Sequence, residues 1–229
     1  MRLLVEAMDL ADIPEVLEVD RLSYSLPWPA SAYRREILHN RNARYFVLRQ
    51  IPEGRPVPVP REPSRPRFPL GFLFRPQRNE EDRQSTGQIA GYAGMWLMID
   101  EAHITTIAVR PEWRGKKLGE LLLATLLEAA QDMGAHRLTL EVRMSNDVAQ
   151  RLYRKYGFET EGLRPRYYSD NNEDAYIMTT PDIRDEQYRR RFEEHVTELQ
   201  KRLGEAGDLF IHLPGGSLEA HSEEAAKDA

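Results

Sequence analysis

Apolar residues recur along this chain with two periods, and the switches between them mark out its elements. Leu3 to Ala7 reads as a first strand, and Asp9 or Asp12 can cap a helix through Pro14, Val16, Leu17 and Leu22. Ser23 to Pro29 breaks that helix; a second helix spans Ala30 to His39, and a second strand Tyr45 to Arg49. After a long interruption, the run from Gln88 to Asp100 predicts a strand closed by a turn at Asp100-Glu101. His103 to Val109, largely β-branched, predicts a central strand paired with it. Pro111 stops this strand. Leu121, Leu122, Leu126, Leu127, Ala130 and Met133 then recur at helical spacing up to Gly134, a natural C-cap. From Leu138 to Met144 the period is two, with Leu138, Leu140 and Val142 on one face and Thr139, Glu141 and Arg143 on the other. Ser145-Asn146-Asp147 can cap a helix running through Val148, Leu152 and Tyr156 to Gly157. Phe158 to Leu163 and Asp174 to Thr179 are the last expected strands, joined by a turn-rich link over 164–172.

Two stretches fall outside this alternation. Eight of the fifteen prolines lie between Pro52 and Pro76, with arginine recurring through the same region, so 52–87 is expected to be an inserted, largely extended loop. Its Pro69 to Phe74 segment is a candidate surface-docking piece; an inert linker and a partner-binding arm both remain open. From Pro181 on, Tyr188, Phe192, Val196, Leu199 and Leu203 form one stripe of an amphipathic helix expected over 181–206. That stripe covers either the domain's own flank or a dimer or partner helix. A short apolar run, Asp208 to Leu213, and a disordered acidic tail complete 207–229.

Composition narrows the function classes. At 229 residues there is room for one sizeable core and an extra segment. A net charge of −5 argues against broad nucleic-acid binding. The absence of cysteine removes disulfides, thiolate zinc sites and a cysteine acyl-enzyme, and fits a reducing compartment. Six scattered histidines without H-x-H or H-x-x-x-H spacing predict no metal site. No stretch approaches the ~20 apolar residues of a membrane span, and the first residues lack a signal-peptide pattern, so a cytoplasmic protein with no membrane partner is expected.

The candidate chemistry begins after the central strand. Arg114, Gly115, Lys116, Lys117 and Gly119 form a basic, glycine-containing turn where a helix begins, and a helix N-terminus offers free N–H groups to phosphate. It is neither a P-loop nor a G-x-G-x-x-G turn. Glu141 leaves the apolar face of a strand that should be central, and Tyr153 lies on the next helix. By residue type alone, Glu141 can equally pair with Arg143 or Arg137, and Tyr153 can simply pack.

These segments together, from residue 3 to about 180 and excepting the insertion, resemble the GNAT N-acetyltransferase superfamily, most closely its ribosomal-protein-alanine N-acetyltransferase (RimI) branch. The resemblance rests on the 114–119 turn, on Leu140-Glu141-Val142-Arg143-Met144-Ser145-Asn146, on Tyr153 twelve residues after Glu141, and on Leu26-Pro27-Trp28. It implies an α/β (α+β) GNAT fold over 1–180: a mixed sheet of about seven strands flanked by helices, with a splay between the two central strands. It implies an acetyl-CoA-dependent N-α-acetyltransferase that modifies the N-terminal alanine of a small-subunit ribosomal protein by direct transfer in a ternary complex. A broader protein N-terminal acetyltransferase, or a non-catalytic acyl-CoA-binding assembly subunit, are the alternatives.

Site roles follow from the same resemblance. Glu141 is the implied general base and Tyr153 the acid that protonates the departing thiolate, and Tyr153 also lies against the cofactor. Ile107, Ala108 and Val109 would run beside the pantetheine arm, Arg114, Gly115, Lys116, Lys117, Leu118, Gly119 and Glu120 would take the pyrophosphate, and Asn146 would touch the arm from the other side. Lys117 stands where the family has glycine; its side chain either crowds the backbone approach or adds a charge contact. Leu26, Pro27, Trp28, Tyr167 and Tyr168 are the implied peptide-binding residues, and Trp28 can also plug the core. His103 reads simply as a strand-end residue. An α-amine (pKa ~8) holds far more neutral form near pH 7 than lysine (~10.4), which favours N-terminal over side-chain transfer. For Glu141 to accept a proton, either burial raises its pKa or a water relays.

Overall fold

The computed structural model describes residues 2–54, 61 and 87–205; the body of the 52–87 insertion and the 207–229 tail lie outside them. Its elements are β1 (Arg2–Ala7), α1 (Ile13–Ser23), α2 (Ala30–His39), β2 (Ala43–Ile51), β3 (Gln88–Met98), β4 (Glu101–Val109), α3 (Leu118–Asp132), β5 (Arg137–Arg143), α4 (Asp147–Lys155), β6 (Glu159–Tyr168), β7 (Glu173–Thr179) and α5 (Glu186–Glu205). The helix starts follow local chemistry. Asp9 and Asp12 form a reciprocal capping box over a short turn leading into α1, Asn146 Oδ1 accepts from Ala149 N–H at 3.1 Å to start α4, and Gly134 at φ 80 ends α3.

The strands form one sheet in the order β1-β2-β3-β4-β5-β7-β6, antiparallel except at β4–β5. That parallel pair is short: Glu101, Ala102 and His103 oppose Arg137, Leu138 and Thr139, and beyond His103 the two strands are no longer paired. This is the expected splay. It divides the sheet into a β1–β4 half and a β5–β7–β6 half.

Helices cover both faces. One apolar cluster joins Leu3, Phe46, Leu48, Met95, Ala102 and Ile104 of the sheet to α3, and the stripe Tyr188, Phe192, Val196, Leu199 and Leu203 of α5 is buried in the same cluster. The stripe therefore covers the domain's own flank; Tyr188 donates its hydroxyl to the Tyr156 carbonyl at 3.0 Å. The second cluster, on the α1–α2 face, gathers Val16, Val19, Tyr33, Tyr45, Val47, Ile89, Tyr92 and Ala108.

A bulge in β4 changes which residues face which cluster. Gly94 opposes Thr106 but Met95 opposes Ile104, so Thr105 is the extra residue. Before it, Ala102 and Ile104 belong to the α3 side; after it, Ile107 and Val109 do, while Ala108 turns to the α1–α2 side. Gly91 and Gly94 of β3 line this region closely. A Cβ on Gly91 would lie 2.6 Å from the Ala108 carbonyl oxygen, and one on Gly94 would lie 2.2 Å from the Tyr45 ring.

Two expectations need correction. The α3 helix begins at Leu118, three residues before the first apolar repeat at Leu121, because Leu118 itself is buried. The stretch 164–168 is strand: β6 runs through Pro165 to Tyr168, and the link is only 169–172. β6 is an edge strand, where a proline breaks no central ladder.

Candidate active site

The alternation along β4 and β5 brings together a group that the separate motifs do not reveal. His103 opposes Thr139, so His103 and Glu141 share the sheet face turned to α1 and α2. His103 Nε2 lies 3.1 Å from Glu141 Oε2, and Arg164 Nη2 reaches over from β6 to 3.0 Å from Glu141 Oε1. Neither partner is the Arg143 or Arg137 considered above. Arg143 instead binds Asp170 at 2.8 Å and Glu173 at 3.1 Å, under the ring of Tyr168.

The Glu141 side chain is only 5 % exposed. Burial pushes its pKa up, but the hydrogen bond and charge of His103, with Arg164 behind them, outweigh burial and hold the carboxyl below its ordinary value. The expectation that burial raises this pKa is thus reversed. His103, taken for a strand-end residue, is the missed member of the site; its signal was its register against β5, which needs the strand pairing to be seen.

Tyr153 approaches from the other side of the sheet. It packs against the α3-side cluster, with its ring 5.7 Å from that of Phe158. Burial, then the neighbouring hydroxyls of Tyr24 and Tyr168, push its pKa well above the ordinary phenol value, so it stays protonated. Tyr168 links the two: its hydroxyl donates to the Glu141 backbone carbonyl at 3.4 Å, and its ring stands edge-on to Tyr167 at 5.2 Å. Arg164 lies 5.5 Å from the Tyr167 ring.

The turn after β4 fits a phosphate-bearing ligand through its backbone. The N-terminus of α3 has no side-chain cap, which leaves its first N–H groups to an anion. Gly115 has open space where a Cβ would stand, and Gly119 meets nothing nearer than Val109 at 4.0 Å. The side chains divide differently. Arg114 and Lys116 are exposed, Arg114 Nε donating to the Val109 carbonyl at 3.1 Å and Lys116 lying over the Trp113 ring at 4.3 Å. Leu118 and Glu120 are buried, so only their backbones face outward. Lys117 adopts φ 65, the left-handed conformation that favours glycine, and its ammonium folds back to 3.2 Å from Glu120. Glu120 also binds Lys155 and the Tyr156 hydroxyl; burial raises its pKa, but the lysines more than offset that and keep it ionised.

The remaining residues scatter in role. Ile107 and Val109 are partly buried against the α3 cluster. Asn146 spends its side-chain oxygen on the α4 cap. Leu26 and Pro27 are exposed between α1 and α2, while Trp28 packs against Tyr33 and Trp96, with ring centroids 5.6 and 6.1 Å away, as a core plug. Among the described residues, no group of three or more His, Cys, Asp or Glu side chains is placed to hold a metal ion, and no helix is long and apolar enough to cross a membrane.

Comparison with known proteins agrees with this geometry. Residues 13–158 match the model of the acetyltransferase (GNAT) family. A Bacillus subtilis protein, provisionally named a ribosomal protein bS18-alanine N-acetyltransferase, is 37 % identical over 174 residues, covering 76 % of this chain and 92 % of its own length. The Escherichia coli ribosomal protein bS18-alanine N-acetyltransferase is 26 % identical over 77 % of this chain and 96 % of its own. A crystal structure of the Escherichia coli enzyme superposes with a TM-score of 0.58 at 25 % identity, covering 79 % of this chain and 94 % of that one. A polyamine-type relative in fold, the PaiA N-acetyltransferase of Thermoplasma acidophilum, was solved with coenzyme A; at 16 % identity it shares the fold. With the family model spanning most of the chain and a relative aligned over nearly its whole length, the chain belongs to the acetyltransferase (GNAT) family, in its ribosomal-protein-alanine N-acetyltransferase branch.

Proposed function

We propose that this N-acetyltransferase moves the acetyl group of acetyl-CoA directly onto the N-terminal α-amine of a ribosomal protein that begins with alanine, in the cytoplasm. The observation that carries the reading is the opposition of Glu141 and Tyr153 across one opening. Glu141 and His103 sit on the α1–α2 face of the splay, Tyr153 packs from the α3 face, and Tyr168 joins them. The thioester supplies a good leaving group; the protein must take a proton from the amine and give one to sulfur. Glu141, held anionic by His103 and Arg164, accepts the amine proton directly or through water. It is a weak base, yet the ammonium formed by attack on a carbonyl is far more acidic than a free one. Tyr153, kept protonated by burial, supplies the proton to the thiolate. The uncapped α3 N-terminus and the open glycines of the 114–119 turn would hold the pyrophosphate, and the exposed Leu26, Pro27, Tyr167 and the Tyr168 edge would flank the peptide.

The test is mass spectrometry of an equal mixture of three peptides with acetyl-CoA: one with free N-terminal alanine, one with free N-terminal methionine, one N-terminally blocked with an internal lysine. One added acetyl group on the alanine peptide alone, lost by about 10²–10⁴ in rate in Glu141→Gln and Tyr153→Phe, is the expected result. Labelling of both free N-termini would make this a broader N-terminal acetyltransferase, and labelling of the lysine would overturn the α-amine reading.

A further inference from the structure

A line of hydroxyl groups runs from the site into the protein. Tyr24, in the corner after α1, is 37 % exposed, and its hydroxyl lies 2.9 Å from Thr106 Oγ1 and 3.0 Å from the Ile107 carbonyl oxygen. Thr106 Oγ1 donates to Tyr92 Oη at 3.3 Å, and Tyr92 Oη donates to the Asp20 carboxylate. Tyr92 is fully buried and Asp20 is 2 % exposed. Tyr33 Oη lies 2.8 Å from Tyr92 Oη; because the Tyr92 proton points at Asp20, Tyr33 is the donor there.

Two features set this line apart from ordinary core hydrogen bonding. Asp20 takes its hydrogen bonds from Tyr92 and from the Trp28 N–H at 2.8 Å, and among the described residues no cation lies within ion-pair distance of it. The buried Glu6 and Asp12 are treated differently: both are paired with Arg49 and Arg61. A buried carboxylate without a counter-cation is costly as an anion and gains from a proton. The directions also agree. Thr106 donates inward and Tyr92 donates inward, so when Tyr24 donates to Thr106 every O–H in the line points toward Asp20, and the Tyr24 oxygen is left to accept from the cleft.

We infer that Tyr24, Thr106, Tyr92 and Asp20 form a second proton exit for the acetyl-transfer reaction, with Tyr24 receiving the amine proton and Asp20 storing it. This rests on the transfer to an amine proposed above. The steps balance. The amine N–H breaks as Tyr24 Oη gains a proton; Tyr24 passes its own proton to Thr106, Thr106 to Tyr92, and Tyr92 to the Asp20 carboxylate. No electron pair leaves the relay, and the reverse sequence after product release restores it. The bulge at Thr105 is what places the Thr106 hydroxyl on this face, and the same hydroxyls of Tyr24 and Tyr168 that bear on Tyr153 put the entry of the line at the splay.

The experiment compares kcat and KM for the accepted peptide in the wild-type protein and in Thr106→Val, Thr106→Ser and Tyr92→Phe, each first checked for an unchanged melting transition. Thr106→Val breaks the line but leaves the Asp20–Trp28 bond in place; Tyr92→Phe breaks it away from the cleft; Thr106→Ser restores a hydroxyl. The expected result is a fall in kcat of about tenfold or more in Val and Phe with peptide KM nearly unchanged, recovered in Ser. In addition, the dependence of kcat on solvent deuterium fraction should be curved in the wild type and linear in Thr106→Val. Wild-type kcat in both broken variants, a loss seen only in KM, or no recovery in Ser would overturn the relay while leaving the proposed function standing. Absence of amine acetylation by the wild-type protein itself would overturn both.

Discussion

Glu128 on α3 gives the sharpest test of the energetics. It is 9 % exposed, one turn before Asp132, and burial followed by the Asp132 charge raises its pKa from 4.5 to about 7. The native state thus binds this proton more tightly than the unfolded chain. The associated stability is complete below about pH 4.5 and is lost as pH rises through 7. At about 1.4 kcal/mol for each tenfold in proton affinity, the loss amounts to about 3 kcal/mol. Glu128→Gln keeps the shape and cannot ionise. Urea denaturation should therefore find it more stable than the wild type by about 1.4 kcal/mol at pH 5.5, rising to about 3 kcal/mol at pH 8.5. With a urea slope of about 2 kcal/mol/M, the midpoint at pH 8.5 should move up by about 1.5 M. A gain independent of pH, or a loss at pH 8.5, would refute the reasoning, since either means that the carboxylate is solvated or compensated in the native state.

Three further outcomes follow from the site. His103→Gln removes the main cause that lowers the Glu141 pKa, so burial prevails and the acid limb of the kcat/KM profile should move to higher pH; an unmoved limb would mean that Glu141 does not set it. Lys117→Gly relieves a left-handed residue at about 1 kcal/mol and loses a half-exposed ion pair worth less, so the melting temperature should rise slightly; a fall would show that the Glu120 pair matters more than backbone strain. Gly91→Ala should destabilise by about 1–3 kcal/mol in chemical denaturation, because its Cβ meets the Ala108 carbonyl oxygen and β3 must separate from β4 there.

The sheet and its helices were legible because the periods of two and 3.6 are strong in β1, β5, α3 and α5, and because each switch carries a cap or a proline. Glu141 and Tyr153 were legible through motif spacing. What could not be read depends on pairing between distant strands. His103 gains its role from the parallel register with Thr139, and Arg164 from the continuation of β6 through Pro165, which looks like a turn in one dimension. The direction of the Glu141 pKa was missed for the same reason, since both cations that lower it come from other strands. Tyr24 reads as part of a proline-rich corner; only the folded corner sets it against Thr106. The left-handed conformation of Lys117 was half visible, as a lysine where the family has glycine, but the pairing with Glu120 needed the helix to be built.

The extra residue in β4 also governs how this gene can change length. Substitutions at Thr105 alter one side chain, but an indel there alters parity. Deleting Thr105 would restore the regular ladder and invert the remainder of the strand, sending Ile107 and Val109 toward the tyrosines and the Thr106 hydroxyl into the leucines of α3. A second single-residue change would be needed before Pro111 to recover the frame. The segment therefore behaves like a reading frame written in three dimensions: tolerant of changed letters, intolerant of a changed count.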